Sequence, residues 1–294
     1  MSTPSSPASS GSPAQPASSI SIADAFTYCR AHPVDGVDLE RFLGIFTSGP
    51  ACIVDARDHG LLGIVMDRLQ VSDGAKPFEW IGGPAATIAP EAAPILLRRI
   101  VEAARSLGVP AIDVTLNGHW SAARDQLAAA GARPRYVDVE MTRPDRAFST
   151  PTPLPQGWRW APVVPAHEPA YYDLLHRSLG PMPGVHIPPE TEALASMRTT
   201  ADGTRVLLDA ADRARALVRC KIAKRYIHLL ARCPEMKGRG LGTLALDEAA
   251  RLLGPGPLHL TVVKQNRVAH EFYLRNGFTA TEEIETWQMP VPAT

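Results

Sequence analysis

The stretch MKGRGLGTLALDEAARLLG, from Met236 to Gly254, sets a basic, glycine-punctuated loop directly ahead of a helix. Leu241, Leu244, Ala245 and Leu252 recur at helical spacing, and Gly254 followed by Pro255 ends the pattern. The amino terminus of a helix carries unpaired N–H groups and about half a positive charge, and both favour an anion. Glycines at 238, 240 and 242 let backbone amides close on a phosphate-bearing ligand, and Lys237 and Arg239 add positive charge. The alternative is a loop that is only a turn.

A second run, EAAPILLRRIVEAARSLG (Glu91 to Gly108), ends almost identically but lacks the glycines of the loop. Glu102-Ala-Ala-Arg105 matches Glu248-Ala-Ala-Arg251 at an offset of 146 residues. The same offset pairs Thr115 with Thr261, Ala123 with Ala269 and Gly131 with Gly277, without a gap. A helix, a strand and a second helix in fixed register point to a duplication.

The 294 residues suffice for two ordinary domains. The expected division is a Ser/Pro/Ala-rich disordered tail over 1–18, one domain over 19–143, a proline-rich linker over 144–157 and a second domain over 158–294. The tail has neither a basic start nor an apolar core, so no ordinary secretory signal is expected. No apolar run reaches membrane-spanning length, and a formal net charge of zero gives no global field for nucleic acid or an anionic membrane. The four cysteines lack metal-like or disulfide-like spacing, so a reduced, cytoplasmic setting without a bound metal is expected.

In the second half, Thr204–Ala210, Arg215–Ala223 and Arg225–Cys233 read as an antiparallel meander. Leu258–Val263 reads as a central strand, Asn266–Asn276 as a helix and ETWQMPV as a closing strand. A strand at WRWAPV and helices near His167–Ser178 and Pro189–Met197 precede the meander. The first half repeats the core of this plan: strands at ACIVDA, GIVMDRL and FEWIG, the Glu91–Leu107 helix, AIDVTL, a short helix and YVDVEM. The fold class is α/β (α+β), two tandem domains with mixed, mostly antiparallel sheets flanked by helices.

With these elements in order, the second half resembles the GNAT (Gcn5-related N-acetyltransferase) superfamily, whose members bind acetyl-coenzyme A. The resemblance rests on Lys237-Gly238-Arg239-Gly240-Leu241-Gly242, with Thr243 following, and on Asn266-x-x-Ala269-x-x-Phe272-Tyr273-x-x-x-Gly277-Phe278. It covers roughly Trp158 to Pro290. It implies that the loop cradles the diphosphate and that the strand end Leu230-Ala231-Arg232 bonds the pantetheine arm through its backbone, Leu230 N–H polarising the thioester carbonyl. Arg232 departs from the aliphatic residue usual there. Asn266, Ala269 and Tyr273 fall on one helical stripe, suited to a cofactor arm or, alternatively, to packing on the sheet.

The resemblance also makes Tyr273 the candidate general acid for the departing thiolate, and a phenol with a pKa near about 10 is protonated at neutral pH. His228, read as sharing a strand face with Leu230, is the candidate base, with Tyr226 as the fallback; a satisfied core histidine is the alternative. Arg275 or Lys264 is placed to meet the 3′-phosphate unless each is a solvated surface charge. At the corresponding positions of the first half stand Glu91, Pro94, Leu96, Trp120 and Leu127, so that half is expected to have the fold without a cofactor site.

The implied activity is N-acetyl transfer from acetyl-coenzyme A to a primary amine of a small molecule or peptide, by direct attack in a ternary complex. Acceptor choice is assigned to His176–Ala193 and to a loop around Thr281–Glu285, with Glu190, Glu192, Glu282, Glu283 and Glu285 available to draw a cation. The partners expected are acetyl-coenzyme A and the amine, with no nucleic acid or membrane, the chain being a monomer or homodimer. The alternatives are a non-catalytic acyl-coenzyme A sensor, a partner-binding module, or a tandem enzyme of the mycothiol-synthase kind.

Overall fold

The structure is a computed structural model that describes residues 20–33, 51–66, 75–82, 91–116, 120, 123–144, 152–180, 182, 185 and 187–292. The expected tail over 1–18, part of the linker and part of the Pro/Gly-rich acceptor segment lie outside the described residues.

Among the described residues, eleven strands form one sheet: β1 (Ala51–Ala56), β2 (Leu61–Met66), β3 (Ala75–Gly82), β4 (Ala111–Thr115), β5 (Arg133–Arg143), β6 (Arg159–Pro162), β7 (Thr204–Leu208), β8 (Ala214–Lys221), β9 (Tyr226–Arg232), β10 (Leu258–Val263) and β11 (Thr279–Pro290). The helices are α1 (Ile22–Ala31), α2 (Ala93–Ser106), α3 (Arg124–Ala129), α4 (Glu168–Leu179), α5 (Glu190–Arg198), α6 (Leu241–Leu253) and α7 (Arg267–Arg275). The sequence reading assigns nothing to α1. Its amino terminus is capped by Ser21, whose hydroxyl accepts from the Asp24 N–H at 3.1 Å, and Phe26 and Cys29 pack on Ile53, Leu62 and Ile64.

The strand order is β1-β2-β3-β4-β11-β5-β10-β9-β8-β7-β6, and its centre departs from chain order. β11, the last strand of the second half, lies between β4 and β5 of the first half. β5 in turn separates β11 from β10. The two halves have exchanged their final strands.

Side-chain burial follows the exchange. Val139 and Met141 of β5 are buried among Leu258, Leu260 and Phe278, while Trp287 and Met289 of β11 are buried among Ile100, Ile112 and Val114. Each full burial of a side chain of this size contributes about 1.5–3 kcal/mol.

The 146-residue offset reappears in the ladders. Ile112 faces Met289 and, shifted by that offset, Leu258 faces Arg143. Asp138 pairs with Ile284, and these two residues are themselves one offset apart, so the pseudo-twofold axis passes between them.

Two further features fix the elements beside the loop. Arg225, in the left-handed region at φ 50°, donates from its guanidinium to the carbonyls of Leu253, Gly254 and Pro257, tying the end of α6 to the start of β9. Thr152 donates its N–H to the Asp247 carboxylate at 2.9 Å, and Leu154 packs on the core below, so this part of the linker lies along α6.

The expected loop around Thr281–Glu285 is instead the interior of β11. Its polar residues alternate across a sheet whose partner β5 carries Asp138 and Glu140, so the apolar alternation that marks a strand is missing there.

Because each half needs a strand of the other, the fragments 1–148 and 152–294 expressed separately will not give soluble, cooperatively unfolding monomers. Co-expressed, they will copurify as a one-to-one complex. Size-exclusion chromatography and thermal melts check this, and a cooperatively melting monomer of fragment 152–294 contradicts it.

Candidate active site

α6 starts at a bend that glycine makes possible. Gly238 and Gly240 stand at φ +80° and +77°, a region disfavoured for residues with a Cβ. No side chain caps the helix at Gly240. The N–H groups of Leu241, Gly242 and Thr243 open the helix and have no intrahelical acceptor. A Cβ on Gly242 would lie 3.2 Å from the Phe272 ring, so α7 packs close against this first turn. Lys237 and Arg239 are exposed, and among the described residues neither makes an ion pair. The result is a cationic rim around three free amides.

β9 and β10 run parallel and pair only at Tyr226–His259 and Ile227–Leu260. Beyond these pairs β9 continues to Arg232 and β10 to Val263, so a cleft opens between them at the end of the sheet where α6 and α7 begin. Cys233 donates its N–H to the Arg215 carbonyl on β8. By strand alternation the peptide groups of Ala231 and Cys233 face β8, and those of Leu230 and Arg232 face the cleft. The Arg232 carbonyl accepts from Ser178 Oγ of α4 at 2.7 Å. Leu230 therefore presents its peptide to the cleft.

A bulge corrects one expectation. The β8–β9 register passes from Cys220–Ile227 to Arg219–Leu229, leaving His228 as the extra residue. Ile227 and Leu230 both pack in the core under α6, while His228 stands on the opposite face with Tyr226, ring centroids 6.5 Å apart. His228 and Leu230 do not share a face, because the bulge breaks the two-residue alternation. The His228 residue reaches solvent from a surface crowded by protein. That crowding, with the charges of Lys221 and Arg219, pulls its pKa down to about 4. Tyr226 Oη donates to Thr261 Oγ1 at 2.8 Å, and burial raises its pKa.

On α7, Asn266 is the N-cap, and its side-chain oxygen accepts from the Ala269 N–H at 3.2 Å. This local bond fixes the amide at the start of the helix and leaves its NH2 group unused by it. Ala269 is half-buried against the core. Tyr273 is buried between Phe272 and Phe278, with ring centroids 5.4 and 5.5 Å away, and burial pushes its pKa above the ordinary phenol value. Arg275 pairs with Glu271 and Lys264 with Glu283, so each of these cations already has an acidic partner. Glu285 pairs with Arg124, and Glu190 and Glu192 lie exposed in the first turn of α5.

Burial raises the Cys29 thiol to about 11 and the Cys220 thiol to about 12, so neither supplies a thiolate at neutral pH. Cys233 is buried and donates to Glu235. Among the described residues no cluster of side chains has the make-up of a metal site, and no helix is long and apolar enough to cross a membrane.

In the first half the same positions are filled differently. The β3–β4 ladder runs from Ala75–Ala111 to Phe78–Val114, and Val114 is the offset equivalent of Leu260, so this ladder ends at the same level as the one between β9 and β10. Pro94 lies at the start of α2, while Trp120 and Leu127 fill the core at the positions equivalent to Asn266 and Tyr273. Sequence reading assigns no role to Asp138 and Glu140 of β5, which lie opposite Val263 and Thr261 of β10. Their only signal is the polar alternation in YVDVEM, which says nothing of the strand beside which β5 will lie.

Comparison with known proteins agrees with this geometry. Residues 171–278 match the acetyltransferase (GNAT) family. No curated protein sequence matches the chain. Among solved structures, a GCN5-related N-acetyltransferase from Sphaerobacter thermophilus superposes with a TM-score of 0.65 at 16% identity, over 93% of each chain. A tandem GNAT protein from the clavulanic acid biosynthesis pathway gives 0.56 at 12%, over 80% of each. A GCN5-related N-acetyltransferase from Kribbella flavida gives 0.55 at 14%, over 85% of this chain and 93% of its own. The carboxy-terminal half therefore carries a GNAT-family acetyltransferase domain, in a chain whose single large sheet has the GNAT fold.

Proposed function

We propose that this chain moves an acetyl group from acetyl-coenzyme A to a primary amine of a small molecule or peptide, at one site in the carboxy-terminal half, by direct attack in a ternary complex. The observation that carries this reading is the junction of three free amides at a glycine-shaped helix start with a strand cleft into which Leu230 turns its peptide. The cradle fits a diphosphate: it offers donors and cations, with space where side chains would otherwise intrude.

Acetyl-coenzyme A supplies an activated thioester. The N–C bond forms as the C–S bond breaks, and the amine proton leaves to solvent. Lys237, Gly238, Arg239, Gly240, Leu241, Gly242 and Thr243 hold the diphosphate. Leu230 N–H donates to the carbonyl oxygen as negative charge grows there. Arg232, with its carbonyl held by Ser178, keeps the strand end in place. Asn266 and Ala269 set the first turn of α7 and so place Tyr273.

Tyr273 Oη is a hydrogen-bond donor to the leaving sulfur. A thiolate with a pKa of about 8.5 is too weak a base to take the proton outright from a phenol held above about 10. Its contribution is stabilisation of charge on sulfur rather than a complete transfer. His228 is neutral at pH 7 but too weakly basic to deprotonate an ammonium directly, and it serves as an acceptor in a water relay.

Lys237→Glu and Gly240→Pro will each weaken acetyl-coenzyme A binding at least tenfold by calorimetry. Glu91→Gln and Pro94→Ala will leave it unchanged; equal losses at both places would exclude a single carboxy-terminal site. Binding without thiol release on any amine would favour the sensor.

Tyr273→Phe will lower kcat about tenfold or more with little change in cofactor affinity, measured by thiol release. An unaltered kcat removes the tyrosine from the chemistry.

The histidine makes a pH prediction. Its folded pKa of about 4 lies below the unfolded value, so the unfolded chain binds the extra proton. Its contribution to stability is present above about pH 6.5 and is lost as the pH falls towards 4. His228→Gln will flatten that part of the melting temperature against pH, and a parallel decline in both proteins would show the shift is absent.

A further inference from the structure

Leu230 on β9 and Val263 on β10 each lie three residues beyond the last pair that joins these parallel strands, and because the bulge at His228 takes up one residue of β9, Leu230 is level with Val262, one residue short of Val263. Val263 is directly opposite Asp138 on β5. One step back, Thr261 is opposite Glu140, and the Thr261 hydroxyl is the one that Tyr226 meets. Directly opposed residues project to the same face of a sheet. Asp138 therefore shares a face with Tyr226 and His228, while Val139 and Met141 point the other way into the core under α6. This carboxylate comes from the first half of the chain, through the exchanged strand.

Asp138 is partly exposed, and among the described residues its side chain makes neither an ion pair nor a hydrogen bond. Glu283 and Glu285 of the neighbouring strand, by contrast, are matched with Lys264 and Arg124. Burial and the nearby Glu140 raise the Asp138 pKa, as for a carboxylate short of a counter-charge.

We infer that Asp138 is a specificity-determining residue that holds a second cationic group of the acceptor, so that the preferred substrate is a primary amine bearing another positive charge a short spacer away. This deepens the acetyltransferase reading and rests on it. The backbones of β9 and β5 are about 10 Å apart where β9 and β10 are still paired, two strand spacings, and further apart in the cleft, and the aspartate side chain shortens that reach. A spacer of about four to six bonds between the two nitrogens fits. The attacking nitrogen loses its proton and lies near Leu230, while the distal ammonium stays charged beside Asp138.

Two measurements on the full chain test this with pentylamine and 1,5-diaminopentane. Calorimetry in the presence of coenzyme A gives binding, and thiol release from acetyl-coenzyme A gives turnover. In the native protein the diamine will bind at least tenfold more tightly than the monoamine. Asp138→Asn will bring the diamine down to the level of the monoamine, raising its KM with kcat unchanged, and will leave the monoamine constants alone. Asp138→Glu will restore part of the preference. The melting temperature of Asp138→Asn will match the native value, which separates recognition from folding. Equal binding of the two amines by the native protein, or equal losses for both in Asp138→Asn, overturns the inference. If the diamine preference depends on Asp138 but no amine is acetylated, the inference stands and the acetyltransferase reading falls.

Discussion

The antiparallel ladder between β5 and β11 is the constraint on which the rest of the structure depends. It runs from Arg133–Gln288 to Thr142–Thr279 through the middle of the sheet, and its axis lies at Asp138 and Ile284. Each of its strands buries its apolar face in the core of the opposite half. The usual boundary between duplicated units is thus replaced by shared hydrogen bonds and shared apolar burial. Separating the halves would break three ladders, β4–β11, β11–β5 and β5–β10, and uncover four large apolar side chains together.

Within that frame the two copies differ in the residues placed at equivalent positions. In the carboxy-terminal copy β9 and β10 part after Ile227–Leu260, and glycines with positive φ open α6 with free amides. In the amino-terminal copy the β3–β4 ladder ends at the equivalent residue, Val114, but Pro94 lies at the start of α2 and Trp120 and Leu127 are buried in the core. Burying aromatic and aliphatic side chains adds stability, whereas an uncapped helix start leaves peptide groups without partners.

Much of the carboxy-terminal architecture was legible in the residues. The glycine loop, the periodic apolar face of α6, the meander and the Asn266–Phe278 pattern are local signals, readable within a window of one or two elements. The exchange of strands was not, because a ladder between residues 137 to 155 apart leaves no local mark. The polar alternation of Thr281–Glu285 suggested a loop only because the strand it pairs with was unknown. The bulge at His228 was hidden for a related reason: alternation in β9 is broken by its register against β8, and composition carries no sign of it. The N-cap role of Asn266 was not legible from its place on the helical stripe, since it is decided by where the helix begins.

The exchange also ties the amino-terminal half to the cleft in the carboxy-terminal half. β10 is flanked on one side by the cleft and on the other by β5, so the surface next to the reacting groups is built from both copies. Removing the amino-terminal half would take away the neighbour of β10, the apolar support that Val139 and Met141 give to α6, and the carboxylates that face Tyr226 and Thr261. A glycine loop in that half is not needed for this, since β5 contributes through its position in the sheet. On the proposed reading, acceptor recognition bears on β5 and donor binding on residues 230–243 and α7. A fold that trades strands can in this way build one site from two copies, each free to lose what the other supplies.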